Sequence, residues 1–346
     1  MRIIIVLAAA ALAWAAPARA TPTLNQIEQA QPVPGADPSE YAEALRGYGE
    51  WVVRVSQIHA PLQATLNGLS GEWETVRSSR RPEALAEFRA SVARAVSQLD
   101  AVHAELSALP NPDVSVIAFP SGLRPEAMGA EMLRLNRQLR AAVESFLPAI
   151  DAVGRGDAAA ADAAVRRMME GLGLVLESNV VVSRAMLSIV PRAGAEWEIA
   201  NIEHLFFRAA ARTFRSWPHL LAGTSDASLV PELLQIADEL ETNAAAGDRK
   251  NEDDLAGLSI ELSVAPGEVD PNVVAVQRQA RGAMEAARGI FAVARRLARQ
   301  IREGARRLNG DAGGFEAFAN LFTHFREFRR DYDAAVLAMG AAMAAR

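Results

Sequence analysis

Val52, Val55, His59, Leu62, Leu66, Leu69, Trp73 and Val76 follow one another in alternating steps of three and four. Steps of that size return to the same side of an α-helix, so the stretch predicts a long amphipathic helix whose apolar flank must be covered by a partner. Pro61 falls inside the stripe and predicts a kink or a split, because it lacks the amide proton a helix interior needs. A second stripe, Leu85, Phe88, Val92, Val96, Leu99, Val102, Leu106 and Leu109, runs to Pro110. A turn near Arg80 and Arg81 would lay the two helices antiparallel.

The segment after Pro110, PNPDVSVIAFPSGLRP, is long for a connection, and its apolar middle is expected to lie against the bundle. Helices are predicted from about Pro125 to Ala152 and from about Asp157 to Val190. The pairs Gly156-Asp157, Gly247-Asp248 and Gly310-Asp311 each read as a glycine ending one helix and an aspartate capping the next. One strand-like piece, LSIELSV at 258 to 264, reads as readily as a helix end. These signals predict an all-α protein, an antiparallel bundle of about eight helices that divides at Pro191 into two four-helix halves, 38–190 and 191–346.

Ahead of the bundle, Arg2, an apolar run from Ile3 to Ala16 and the small-residue pattern Ala18-Arg19-Ala20 read as a secretory signal peptide over residues 1–20. The run is shorter than the ~20 residues of a transmembrane helix. Cleavage near Ala20, a periplasmic or secreted location and no integral span after processing are therefore expected. Residues 21–37, rich in proline and without periodicity, read as a flexible leader. The chain has no cysteine, which closes disulfide, thiolate-metal and covalent haem chemistry. Without Arg2 and Arg19 it carries 34 basic and 42 acidic residues, a balance that excludes a general nucleic-acid binder.

Three groups of side chains are candidates for function. Trp197, His204, Phe207, Ala211 and Phe214 share one helix face, and Phe315, Phe318, Leu321, Phe322, Phe325, Phe328 and Tyr332 share another. The simplest outcome is that the two faces pack on each other as a core seam; the alternative is a seam that opens around an apolar ligand. His59 and His103 fall at nearly the same height on either side of the first turn and are the candidate metal ligands, and His204 is a candidate general base or haem ligand. No phosphate loop, nucleophile elbow or calcium loop is present, so catalysis is not indicated and no cofactor is implied.

The third group is the most regular. Arg281, Arg288, Arg295, Arg299, Arg302 and Arg306 lie on one side of a single helix, a ridge about 37 Å long at 1.5 Å per residue. Residues 271–310 hold nine arginines and two glutamates, whereas 226–270 hold twelve acids and two bases. Pairing between these neighbouring segments is the first expectation. What pairing leaves over would face an anionic envelope component, such as phospholipid head groups or cell-wall polymer, or an acidic protein. The expected function is that of an exported binding or scaffolding protein using this ridge. The competing expectation is a bundle that holds an apolar ligand or metal, or acts as an enzyme, through the aromatic seam or the histidines.

Overall fold

In a computed structural model of the chain, the described residues are 31–79, 82–119, 124–187, 190, 192, 194–217, 219, 226, 228–261, 271–308 and 314–344. Residues 1–30 with the expected cleavage near Ala20, the turn at Arg80 and Arg81 and the Gly310-Asp311 pair lie outside them. The protein is all-α, with nine helical segments and one pair of two-residue strands among the described residues. The chain divides into two compact units, Met1–Ile189 and Val190–Arg346.

The first unit holds α1 (Pro38–Ser79), α2 (Pro82–Ala108), α3 (Pro125–Glu144), α4 (Phe146–Gly154) and α5 (Ala158–Leu187). Thr65 donates to Gln98 and Arg54 meets Glu105, so numbers that rise along α1 fall along α2 and the pair is antiparallel. Helix α1 is not split at Pro61. The break comes instead in the helix expected to run unbroken from 125 to 152. It falls at Ser145, where Pro148 cannot donate to residue 144 and its ring crowds that carbonyl. Ser145 closes the break by donating its hydroxyl and its amide to the Ala141 carbonyl, at 2.8 and 3.1 Å. After α4, Gly156 takes a φ of 71° and the Asp157 carboxylate accepts the Ala160 amide at 2.9 Å, the stop and cap expected there.

The core of this unit includes Phe88 edge-on to Phe146, with Leu99, Leu135, Leu139, Val143, Leu172 and Val175, all 1% exposed or less. A smaller cluster, Tyr48, Trp51, Val114 and Ile117, pins the 110–119 connection onto α1. That same connection supplies β2 (Ile117–Ala118), which pairs antiparallel with β1 (Gln31–Pro32). The expected flexible leader is thus corrected at its end: residues 31–33 are hydrogen-bonded to 116–118, Val33 donating to the Val116 carbonyl at 2.9 Å.

The second unit is built from α6 (Glu196–Arg215), α7 (Leu229–Glu261), α8 (Pro271–Leu308) and α9 (Gly314–Ala344). Its core is the aromatic seam. Phe206 meets Phe325 and Phe328 at ring separations of 6.0 and 4.9 Å, Phe214 meets Phe322 at 4.6 Å, and Trp217 meets Phe318 at 5.2 Å. Each ring hidden this way contributes roughly 2–3 kcal/mol of burial, and edge-to-face pairs add to it. The side chain of Phe315 lies outside the described ones, and Trp197 stands apart from the seam, half-buried.

Helix α7 runs straight through Gly247-Asp248, which corrects the expectation of a stop and cap there. Gly247 is needed for a different reason: a Cβ at that position would overlap the ring of Phe291 on α8. The 258–261 part of the strand-like piece belongs to α7, and the rest lies outside the described residues.

Candidate functional site

Helix α8 lies between α7 and α9, and its arginines divide according to which neighbour they reach. Arg302 donates to Asp238 at 2.7 Å and pairs with Glu241, and Arg295 pairs with Asp248, all three acids on α7. These contacts hold the Arg302 guanidinium above its ordinary pKa, the Asp238 hydrogen bond contributing most. Arg296, off the ridge, pairs with Asp331 of α9, where Gln300 also meets His324 at 2.9 Å. Arg281 is half-buried, while Arg288, Arg299 and Arg306 are exposed, and none of these last three forms an ion pair with another described residue.

At 100° per residue, Arg288, Arg299 and Arg306 fall within about 20° of one another, a line with steps of roughly 16 and 10 Å. The six-arginine ridge of the sequence is therefore a three-arginine line, with Arg295 and Arg302 bound to the acidic helix beside it. Pairing consumes the members that lean toward α7 and leaves those that lean away from it. The acidic segment that lowers the ridge's charge is thereby the reason its remaining charge is confined to one line.

A second charged group is buried and was not singled out in the sequence. Arg329, 4% exposed, donates to Glu203 at 2.7 Å and to Asp333 at 3.2 Å, and lies 5.7 Å from the centre of the Phe207 ring. Burial opposes its charge, yet the two carboxylates more than offset that and raise its pKa. Next to it, burial followed by the Glu203 carboxylate pushes Tyr332 well above the ordinary tyrosine value, while its hydroxyl donates to the Ile199 carbonyl at 3.2 Å. At the other end of α6, Arg212 gathers Asp226, Glu232 and Ser228, and its hydrogen bond holds Asp226 far below the usual carboxylate range. Both are ion-paired knots tying α6 to its neighbours, although Nη1 of Arg212 and Nη2 of Arg329 make no hydrogen bond among the described residues. Such a charge is expensive to bury and persists only where it is paired in this way.

The histidine candidates are placed as follows. The side chain of His59 lies outside the described ones. His103 is half-buried, and its Nδ1 has no hydrogen-bond partner among the described residues. His204 is buried on α6. Among the described residues no three ligating side chains of His, Asp or Glu converge, and no described helix is long and apolar enough to cross a membrane.

An open groove of about 820 Å³ between α6 and α7 was also missed from the sequence. Trp197, Glu198 and Asn201 form one wall and α7 the other, from Pro231 to Ala246. Periodicity could not reveal it, because Trp197 read as a member of the aromatic face and Glu198, Asn201, Gln235, Asp238, Glu239 and Thr242 carry no stripe. Compared with protein-family models, with curated proteins and with solved structures, the chain gives no match.

Proposed function

We propose that this chain is an exported helical-bundle binding or scaffolding protein that holds an extended anionic polymer of the cell envelope on the exposed arginine line of α8. The observation that carries the reading is the sorting of the ridge. Arg295 and Arg302 are spent on α7, whereas Arg288, Arg299 and Arg306 remain exposed in one row without an ion pair to another described residue. Steps of roughly 10 to 16 Å along a helix exceed what one phosphate can bridge, so the row suits a ligand with repeated negative groups. Planar guanidinium forks suit phosphate and carboxylate oxygens. Export rests on the charged, apolar and small-residue succession of residues 1–20.

The test is binding of the processed chain to a long-chain polyphosphate and to vesicles containing an anionic phospholipid, with zwitterionic vesicles as control. Polyphosphate binding is expected, weakening steeply as salt rises above about 0.1 M, where the screening length drops below ~10 Å. It should disappear when Arg288, Arg299 and Arg306 are changed together to glutamate. Vesicle binding without polyphosphate binding would show that the line reads a lipid surface instead. Absence of both, or binding that ignores salt, would end the proposal.

A further inference from the structure

The groove between α6 and α7 is a second candidate, chemically unlike the arginine line. Three carboxylates border it, and each is already neutralised from outside the groove. Lys250, the only lysine of the chain, holds Glu198 at 2.9 Å; Arg208 pairs with Glu239; Arg302 holds Asp238 at 2.7 Å. These pairs cancel the charge that would draw a cationic ligand, and an anionic one would face carboxylate oxygens, which favours an uncharged occupant.

The polar atoms left over both donate and accept. Asn201 gives one amide N–H to Asn243 at 2.9 Å and Gln235 gives one to Glu239 at 2.8 Å, which leaves each a second N–H and the carbonyl oxygen. Arg302 engages only Oδ1 of Asp238 among the hydrogen bonds it makes there, and the exposed Thr242 hydroxyl can both donate and accept. Those groups call for a ligand with several hydroxyl or amide groups that both donate and accept. The apolar part of the wall is the indole of Trp197, whose plane is held by the Arg192 guanidinium 4.8 Å from its centre. An indole fixed in advance is an anchor of low entropic cost for a flat apolar face. From Pro231 to Ala246 the α7 wall extends about 22 Å, longer than a single sugar ring.

We propose that this groove binds an uncharged oligosaccharide, with one ring face on Trp197 and its hydroxyls on Asn201, Gln235, Asp238 and Thr242. The experiment titrates the full chain with two neutral probes, a β-linked N-acetylglucosamine tetramer and cellotetraose, with glucose and a lysine tetramer for comparison. Saturable binding of at least one tetramer is expected, with glucose far weaker. Trp197→Ala should weaken it by about tenfold or more, the usual loss of an aromatic anchor. The Asn201→Ala/Thr242→Val double variant, which spares the indole, should weaken it while leaving the circular dichroism unchanged, so a folding defect in Trp197→Ala does not decide the result. The glutamate variants of Arg288, Arg299 and Arg306 should bind the tetramer normally, which separates failure here from failure of the polyanion reading. No saturable binding of either tetramer, binding untouched by both groove variants, or tighter binding of the lysine tetramer would overturn the proposal.

Discussion

Tyr332 gives the core of the second unit a measurable signature. Its phenol is 5% exposed, beside the Glu203–Arg329–Asp333 group, and its pKa lies well above the ordinary 10.0 of a tyrosine. In the first unit, burial pushes Tyr48 up to about 12. A raised pKa means that the folded state keeps a proton which the unfolded chain releases once pH passes 10. The contribution is therefore complete below pH ~10 and is lost as pH rises toward the folded value. Stability should fall above pH 10 by up to about 1.4 kcal/mol per pH unit for each tyrosine, and Tyr332→Phe and Tyr48→Phe should each remove one share of that slope. Tyr332→Phe also loses the hydrogen bond to Ile199, about 1 kcal/mol at neutral pH. Denaturant midpoints across pH 8 to 12 check this; a slope unchanged in both variants would refute it. Nothing in the sequence singled out Tyr332 as more than a ring in the seam, because the partner that changes its chemistry, Glu203, is 129 positions away.

Two glycines of α7 predict opposite outcomes for the same substitution. At Gly257 a Cβ meets nothing within 4 Å, so Gly257→Ala should gain the roughly 0.5–1 kcal/mol of helix propensity that alanine brings. At Gly247 the same Cβ would drive into Phe291, itself fully buried, and overpacking of that kind costs about 1–3 kcal/mol, more than propensity returns. Urea midpoints should move up for the first and down for the second, and two shifts of the same sign would contradict the packing described. The contrast also marks what was legible in advance. Stripes of three and four reveal that a helix exists and which flank is greasy, hence the all-α bundle and the contact of Phe214 with the α9 face; Phe206 and Trp217, outside the expected α6 face, make the other ring contacts. The stripes are silent on contacts across helices. Gly247 therefore read as punctuation when it is a point of close approach, and of the kink or split read at Pro61 the split is absent from α1, while a break comes at Pro148. The same blindness hid the α6–α7 groove, where Trp197 read as part of the aromatic face and the polar residues around it acquire meaning only where the two helices face each other. The arginine ridge was visible because its members share one helix; which of them would be consumed depended on the register of α7 against α8.

At the scale of the whole molecule the arginine line works against the chain's own charge. The full chain carries a net charge of −6, and −8 without Arg2 and Arg19. A polyanion approaching from afar is repelled by the sum and attracted only once within reach of Arg288, Arg299 and Arg306. Salt separates the two effects by range. At 0.01 M the screening length is about 30 Å, so the repulsion of the whole chain is felt; at 0.15 M it is about 8 Å, and mainly the local line acts. Still more salt weakens the line itself. The association rate with polyphosphate should therefore pass through a maximum between these limits instead of rising steadily as salt is removed. Converting Asp238, Glu241 and Asp248 to their amides releases Arg295 and Arg302 and makes the net charge less negative by three. That variant should bind faster at every salt concentration and show its maximum at lower salt. A rate that climbs without limit down to 0.01 M would mean that the arginine field outweighs the net charge at all distances. A variant no faster than the parent would mean that the α7 carboxylates do not restrain the line.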